Sequence, residues 1–349
     1  METIRLGKTN MMVSRVGLGS IPIQRLTTTE AVAVVRRCLE LGITFIDTAN
    51  GYTTSEGRVG QAIAGRRDGL FIATKSHSRT RDGIERHLNQ SLKLLGVEYI
   101  DLYQFHGVSD TRDLDMVLDA NGPMAILEEA KKRGVIRHIG ISSHQIDVAK
   151  KAIKSDRFET IMFGFNFMTQ EVADELLPLA REHDVGFIAM KPFGGGMIDN
   201  IPVAVKYLLQ FPDVLMIPGI EKIAEIEEIV QLLNGTHQLS KAEEQTMQRI
   251  RAELGTSFCH RCEYCQPCNQ AIPISRVITS RSFARRLPTE RLFSGEMAEG
   301  IAKAADCIEC GECETRCPYH LPIRDMLAEH VNWYQEEKRK YQERVAPSK

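Results

Sequence analysis

Residues 43–56 read ITFIDTANGYTTSE. Four residues of strand character, Ile43, Thr44, Phe45 and Ile46, run straight into a carboxylate, Asp47. A short Asn/Gly loop carrying Tyr52 follows, and then the polar, helix-opening pair Ser55 and Glu56. An apolar run that stops at a polar loop is how a buried parallel strand delivers functional groups to one edge of a sheet. Parallel strands need crossover connections, so the reading of this stretch turns on whether the chain repeats it.

It does. Through about residue 235 short apolar runs alternate with amphipathic segments at the spacing of repeated strand–helix units. The expected strands are Val13–Leu18, Ile43–Asp47, Leu70–Thr74, Ile100–Phe105, Ile136–Ile141, Thr160–Phe163, Val185–Met190 and Val214–Ile217. Helical periodicity covers Thr29–Leu41, Arg81–Leu95, Pro123–Arg133 and Thr169–His183, with apolar residues three and four apart. Eight strands, each followed by a helix, are the count of a TIM barrel, an α/β fold. An open doubly wound sheet would carry Gly-x-Gly-x-x-Gly after its first strand, whereas Gly17-Leu18-Gly19-Ser20 has no third glycine in register. The helix Lys241–Leu254 closes this unit, so residues 1–256 are expected to form the barrel and 257–349 a small, mainly helical domain.

With 349 residues, 43% of them hydrophobic and 26% charged, the chain can bury one large core or two modest ones. A net charge of -2 predicts neither nucleic-acid nor membrane attraction. The first twenty residues lack a signal-peptide apolar core and no 18-residue apolar run occurs, which makes a cytosolic (cytoplasmic) protein the expectation. Eight of the nine cysteines lie between Cys259 and Cys317, a clustering that in a cytosolic protein points to metal or redox chemistry rather than disulfides. Cys38 stands apart and reads as a small core residue.

In a TIM barrel the residues that end successive strands converge on one face. Three consecutive strands deliver Asp47 and Tyr52, then Lys75, then His106. A tyrosine hydroxyl titrates near pH ~10 in water, and a neighbouring ammonium lowers that value by stabilising phenolate. Lys75 has that role here, with Asp47 holding the lysine charged and oriented and His106 placing a ring N–H near a substrate oxygen. The set suits protonation of an oxyanion as hydride reaches carbon.

FIDTANGYTTSE is similar to the signature Phe-Asp-Thr-Ala-x-x-Tyr-Gly-x-Ser-Glu, and on these residues the chain resembles the aldo-keto reductases over about residues 3–233. The resemblance implies a (β/α)8 barrel plugged by an N-terminal hairpin, a nicotinamide cofactor, NAD(P)H, and a small carbonyl or alcohol substrate. The tetrad would be Asp47, Tyr52, Lys75 and His106, with Tyr52 donating the proton. For the cofactor it implies Ser142 and Asn166 at the carboxamide and Met190 against the ring, where an aromatic residue often stacks. Lys191, Gly194, Pro218 and Gly219 belong to the cofactor loops, and Glu221, Lys222 and Glu228 to the adenosine-ribose loop. The chain also departs from the family pattern where Ser143 replaces an asparagine, Met162 a glutamine and Ile229 a second asparagine. Glu221, where NADP-binding members often carry arginine, suits a ribose diol and repels a 2'-phosphate, while Lys222 pulls the other way; the balance leans to NAD.

Cys259, Cys262 and Cys265 recur 48 positions on as Cys307, Cys310 and Cys313, and each block ends in a fourth cysteine, Cys268 and Cys317. The second block, ending Cys317-Pro318, is the bacterial-type iron–sulfur run, in which three thiolates hold one cubane and the fourth reaches the other. By that pattern Cys259, Cys262, Cys265 and Cys317 hold one 4Fe-4S cluster, and Cys307, Cys310, Cys313 and Cys268 a second, in the manner of an α-helical ferredoxin. Zinc remains the alternative for the first block, which lacks the closing proline. Clusters move single electrons and nicotinamide moves a hydride, and no flavin motif bridges the two. The alternative function is therefore an electron-transfer or redox-sensing protein with a silent barrel. A radical-SAM enzyme is disfavoured because the cysteines follow the barrel. Arg276, Arg281, Arg285, Arg286 and Arg291 have the charge to dock an acidic electron-carrier protein, with a solvated helix face the simpler reading.

Overall fold

Thr3–Arg5 (β1) and Met12–Ser14 (β2) pair antiparallel as a hairpin, and eight further strands form one parallel sheet in sequential order. These are Leu18–Gly19 (β3), Phe45–Asp47 (β4), Phe71–Ser76 (β5), Ile100–Phe105 (β6), Ile136–Ser142 (β7), Thr160–Gly164 (β8), Gly186–Met190 (β9) and Val214–Ile217 (β10). Parallel bridges from Val16 to Met216 and from Gly19 to Gly219 join the two ends and close the barrel. This computed structural model describes residues 1–345; the last four residues of the expected C-terminal domain, 346–349, lie outside the described part. The barrel unit runs to Met247 and a second unit begins at Gln248.

Strand alternation sorts the barrel's side chains into two cores. Phe45, Ala73, Leu102, Met162, Ile188 and Leu215 fill the lumen, where Leu6 and Val13 of the hairpin segment join them as a plug. The opposite faces of the strands pack on the surrounding helices through Ile46, Ile72, Tyr103, Ile141 and Ile161. Full burial of each such side chain contributes roughly 1.5–3 kcal/mol. The helices start where the sequence offers caps: Thr27 accepts from the Glu30 amide and Glu30 reaches back to Thr27, a capping box that opens Thr28–Glu40.

The second unit is built of helices, Ile274–Ile278, Ser280–Ala284, Thr289–Leu292, Gly295–Ala305, Glu312–Thr315 and Ile323–Val345. Val277, Ile301, Ile323 and Leu327 form its core, with Val331 and Trp333 packed against it. No described helix is long and apolar enough to cross a membrane.

Several expected elements come out differently. The run 13–18 is divided between two pairings, β2 of the hairpin and β3 of the barrel. Ser14 and Thr44 exchange backbone-to-side-chain hydrogen bonds at 2.8 Å where the chain leaves the hairpin. Residues 290–305 hold most of one helix, Thr289–Leu292, and a second, Gly295–Ala305, which opens on Gly295 in a left-handed conformation at φ 56°. The Asp-rich stretch after β6 forms the helix Thr111–Leu118, capped by Asp110 accepting from the Asp113 amide at 2.7 Å.

Candidate active site

β4, β5 and β6 bring the four sequence-derived residues together at the ends of adjacent strands. Asp47 closes β4 and Lys75 lies on β5, both almost wholly buried, with Lys75 Nζ 2.5 Å from Asp47 Oδ2. The same ammonium donates to the Thr48 carbonyl at 2.8 Å and lies 4.9 Å from the Tyr52 ring centroid, near enough for its charge to act on that side chain. Burial alone would lower the lysine's pKa, but the Asp47 carboxylate and Tyr52 hold it above the ordinary value. Burial pushes the Asp47 carboxyl up, against the pull of Lys75 and of a hydrogen bond from Gln104. Just past β6, His106 stands edge-on to Tyr52, with centroids 5.7 Å apart and planes at 82°.

Three contributors escaped the sequence reading. Gln104, inside the barrel on β6, donates Nε2–H to Asp47 Oδ1 at 3.3 Å. Its spacing of two from His106 on one strand is the signal that placed it on the same face. His77 stacks on His106 with centroids 3.7 Å apart and planes at 18°. Further from the tetrad, His138 hydrogen-bonds Glu159 at 2.6 Å. Arg79 donates to the carbonyls of His77, His106 and Gly107 at 3.0–3.1 Å and pairs with Asp113 at 3.0 Å, tying the loops after β5 and β6 together. On the outer face of β5, Thr74 donates to Glu56 at 2.7 Å, and burial raises the pKa of this carboxyl.

The expected cofactor residues lie at the ends of β7 to β10, and several already have partners. Ser142 Oγ accepts from the Gly107 amide at 2.8 Å. Asn166 donates to the Lys191 carbonyl at 3.0 Å and accepts from the Met168 amide at 2.9 Å, so it shapes the loop after β9, where Lys191 and Gly194 are both left-handed. One amide hydrogen of Asn166 remains to suit a carboxamide, while the Ser142 hydroxyl donates to the Phe105 carbonyl at 3.5 Å. Met190 ends β9 and packs against the lumen core. Pro218 accepts from the Gly19 amide at 2.8 Å, and Gly219 makes the closing bridge. At the start of the helix Ile223–Leu233, Glu225 accepts from the amides of Glu221 and Lys222 at 2.8 and 3.0 Å. Those two amides are thus taken. Glu221 faces Arg25 at 3.7 Å, a residue from the short turn Pro22–Arg25 after β3, while Glu228 is exposed.

In the second unit Cys268, Cys307, Cys310 and Cys313 line one open cavity of about 390 Å³, together with Ile274 and Leu327. Cys259, Cys262 and Cys265 lie close enough for their charges to interact, and Cys262 is likewise coupled to Cys317. Cys268 thus shares a cavity with three cysteines of the second block, and Cys317 lies near Cys262 of the first. Among the described residues no three ligand side chains converge as tightly as a single ion requires. All nine cysteines are thiols. Of the arginines between the blocks, Arg276 pairs with Glu296, and Arg281 with Glu329 at 2.7 Å.

Residues 15–201 match the model of the aldo/keto reductase family, and residues 258–322 that of the 4Fe-4S dicluster domain. An uncharacterized oxidoreductase of Bacillus subtilis, YqkF, is 33% identical over 217 residues, covering 58% of this chain and 68% of that protein. Among solved structures, the holo form of the aldo-keto reductase AKR11C1 from Bacillus halodurans superposes with a TM-score of 0.63 at 27% identity, covering 72% of this chain and 96% of that one. An aldo-keto reductase from Klebsiella pneumoniae, solved in complex with NADPH, has the same fold with a TM-score of 0.62 at 22% identity, covering 71% and 94%.

Proposed function

The chain belongs to the aldo/keto reductase family of oxidoreductases, and on that premise we propose that its barrel interconverts a small aldehyde or ketone and the alcohol, with Tyr52 as general acid and base. What carries the reading is the Asp47–Lys75–Tyr52 chain of contacts with His106 edge-on beside it, a proton donor, its electrostatic support and a second polar ring in one place. A bound nicotinamide would supply the hydride. As negative charge develops on the substrate oxygen, Tyr52 gives up its hydroxyl proton, and the Lys75 ammonium stabilises the phenolate left behind. Asp47 keeps that ammonium charged and aimed. His106 orients the substrate oxygen, and Arg79 fixes the carbonyls on either side of it. Oxidation of NADH or NADPH, followed against a panel of aldehydes and ketones alongside cofactor binding by fluorescence quenching, tests the reading. Neither binding nor turnover would overturn it.

Ser142, Asn166 and Met190 would hold the nicotinamide end, and Arg25, Glu221 and Lys222 the adenosine-ribose end. Glu221 favours NADH by accepting from a ribose diol and by occupying Arg25. Removing that charge frees Arg25 from this ion pair. Glu221→Gln should shift the ratio of dissociation constants about tenfold towards NADPH, because a charge-assisted arginine–phosphate contact replaces a repulsion. An unchanged ratio would show that this loop does not select the cofactor.

The same reading gives the second unit two 4Fe-4S clusters, held by Cys259, Cys262, Cys265 and Cys317, and by Cys268, Cys307, Cys310 and Cys313. Bound there, they would supply one-electron chemistry. Cys317→Ser and Cys268→Ser should each remove about half the iron, since each strips one ligand from a different cubane. Metal and sulfide analysis with EPR after dithionite reduction measures this. Stoichiometric zinc in place of iron would sink the assignment.

A further inference from the structure

The barrel's register places a second polar group beneath the tetrad. Lys75 on β5 pairs with Gln104 on β6, Gln104 with Gly140 on β7, and Gly140 with Thr160 on β8, so the four occupy one layer across adjacent strands. Directly paired residues face the same side of a sheet, and Lys75 and Gln104 both reach Asp47, so this layer faces the lumen. Gln104 and Thr160 are fully buried. A methyl group added at Gly140 would lie 2.2 Å from Thr160 Oγ1 and 3.0 Å from Gln104 Cγ, so the missing side chain is what lets the two side chains approach. Gln104 Oε1, an acceptor, and Thr160 Oγ1, able to donate, are each buried with no hydrogen-bond partner among the described residues, each other included. Leaving such atoms unmatched in a lumen is costly, and here the two are complementary.

We propose that the Thr160 hydroxyl turns to Gln104 Oε1 across the notch at Gly140, and that Gln104, so held, is a positioning residue for the reaction that fixes the plane of the Asp47 carboxylate. The terminal torsion of an aspartate is broad and roughly two-fold. Lys75 grips only Oδ2, and that single contact leaves the torsion loose. The bond from Gln104 to Oδ1 holds the other oxygen and locks the carboxylate. Lys75 then meets Asp47, Thr48 and Tyr52 in one arrangement, and the order of the lumen layer reaches the proton donor. The titratable groups around Asp47 are Lys75 from β5 and Tyr52 from its own loop. Behind them stand Glu56 from the helix Ser55–Ile63, whose charge reaches Lys75, and His106 just past β6.

This inference rests on the reductase reading above. It is tested by steady-state kinetics against pH, with thermal unfolding alongside, for Gln104→Leu, Thr160→Val and Thr160→Ser. Gln104→Leu should lower kcat roughly tenfold, the worth of one hydrogen bond to a charged group, with KM for the carbonyl unchanged. Its acid limb should move to higher pH, because the ionised carboxylate loses a donor. Thr160→Val, nearly isosteric, should move the limb the same way by less, and Thr160→Ser, which restores the hydroxyl, should return it. Thr160→Val decides the matter if Gln104→Leu does not fold. A wild-type protein without carbonyl turnover removes the reductase reading and this inference with it. An active wild type beside variants that lose only thermal stability, with kcat and acid limb unmoved, overturns this inference alone.

Discussion

Tyr52→Phe is expected to lower carbonyl turnover by about 10²–10⁴-fold, the range for loss of a positioned general acid, with the folded state intact. The change removes one hydroxyl from a partly exposed side chain and keeps the ring that packs edge-on to His106 and lies over Lys75. Lys75 keeps its hydrogen bonds to Asp47 and Thr48. Cofactor binding should persist, because the expected nicotinamide contacts come from β7 to β10. Turnover equal to wild type with an unchanged melting curve would remove Tyr52 from the proton-donor role.

Lys75→Met should be felt in stability as well as in chemistry. It leaves the Asp47 carboxylate, 3% exposed, inside the barrel with only Gln104 as a donor. Removing one member of a buried ion pair typically costs about 3–5 kcal/mol, because the remaining charge has no counter-charge. The pH dependence gives the loss a signature. In the unfolded chain an aspartate titrates near ~3.9, whereas burial raises the folded value of Asp47. A carboxyl raised on folding means that the native state holds its proton more tightly, so the variant's stability should fall as pH rises above the unfolded value. The wild-type lysine has the complementary profile. Its pKa is raised on folding, so its contribution is fully present below the ordinary lysine value and is lost as pH climbs through the higher native one. Urea unfolding of wild type, Lys75→Met and Asp47→Asn/Lys75→Met between pH 4 and 10 measures this. The double variant should recover part of the loss, and a single variant as stable as wild type at neutral pH would show that Asp47 is not charged in the fold.

Much of this was legible in the order of residues. Strand character in Phe45–Asp47, Phe71–Ser76 and Ile100–Phe105, each run ending at a polar residue, was enough to predict that Asp47, Lys75 and His106 share one barrel face. That prediction needs only the strand period and the convergence of strand ends. The cysteine blocks were similarly plain, because their spacing is a local property. The run 13–18 was misread because it carries apolar character suited to both the hairpin and the barrel, and which residues take which partner is a non-local outcome.

The amino-acid order alone thus specified the barrel, the tetrad and the two groups of cysteines, each being a repeat or a short-range pattern. Which side chains meet across strands was left to the folded chain. The stacking of His77 on His106, the clamp of Arg79 on two loops, the pairing of Arg25 with Glu221 and the layer of Lys75, Gln104, Gly140 and Thr160 all join residues far apart in the chain. Their contacts depend on register and barrel closure, where a shift of one residue would turn every side chain to the opposite face.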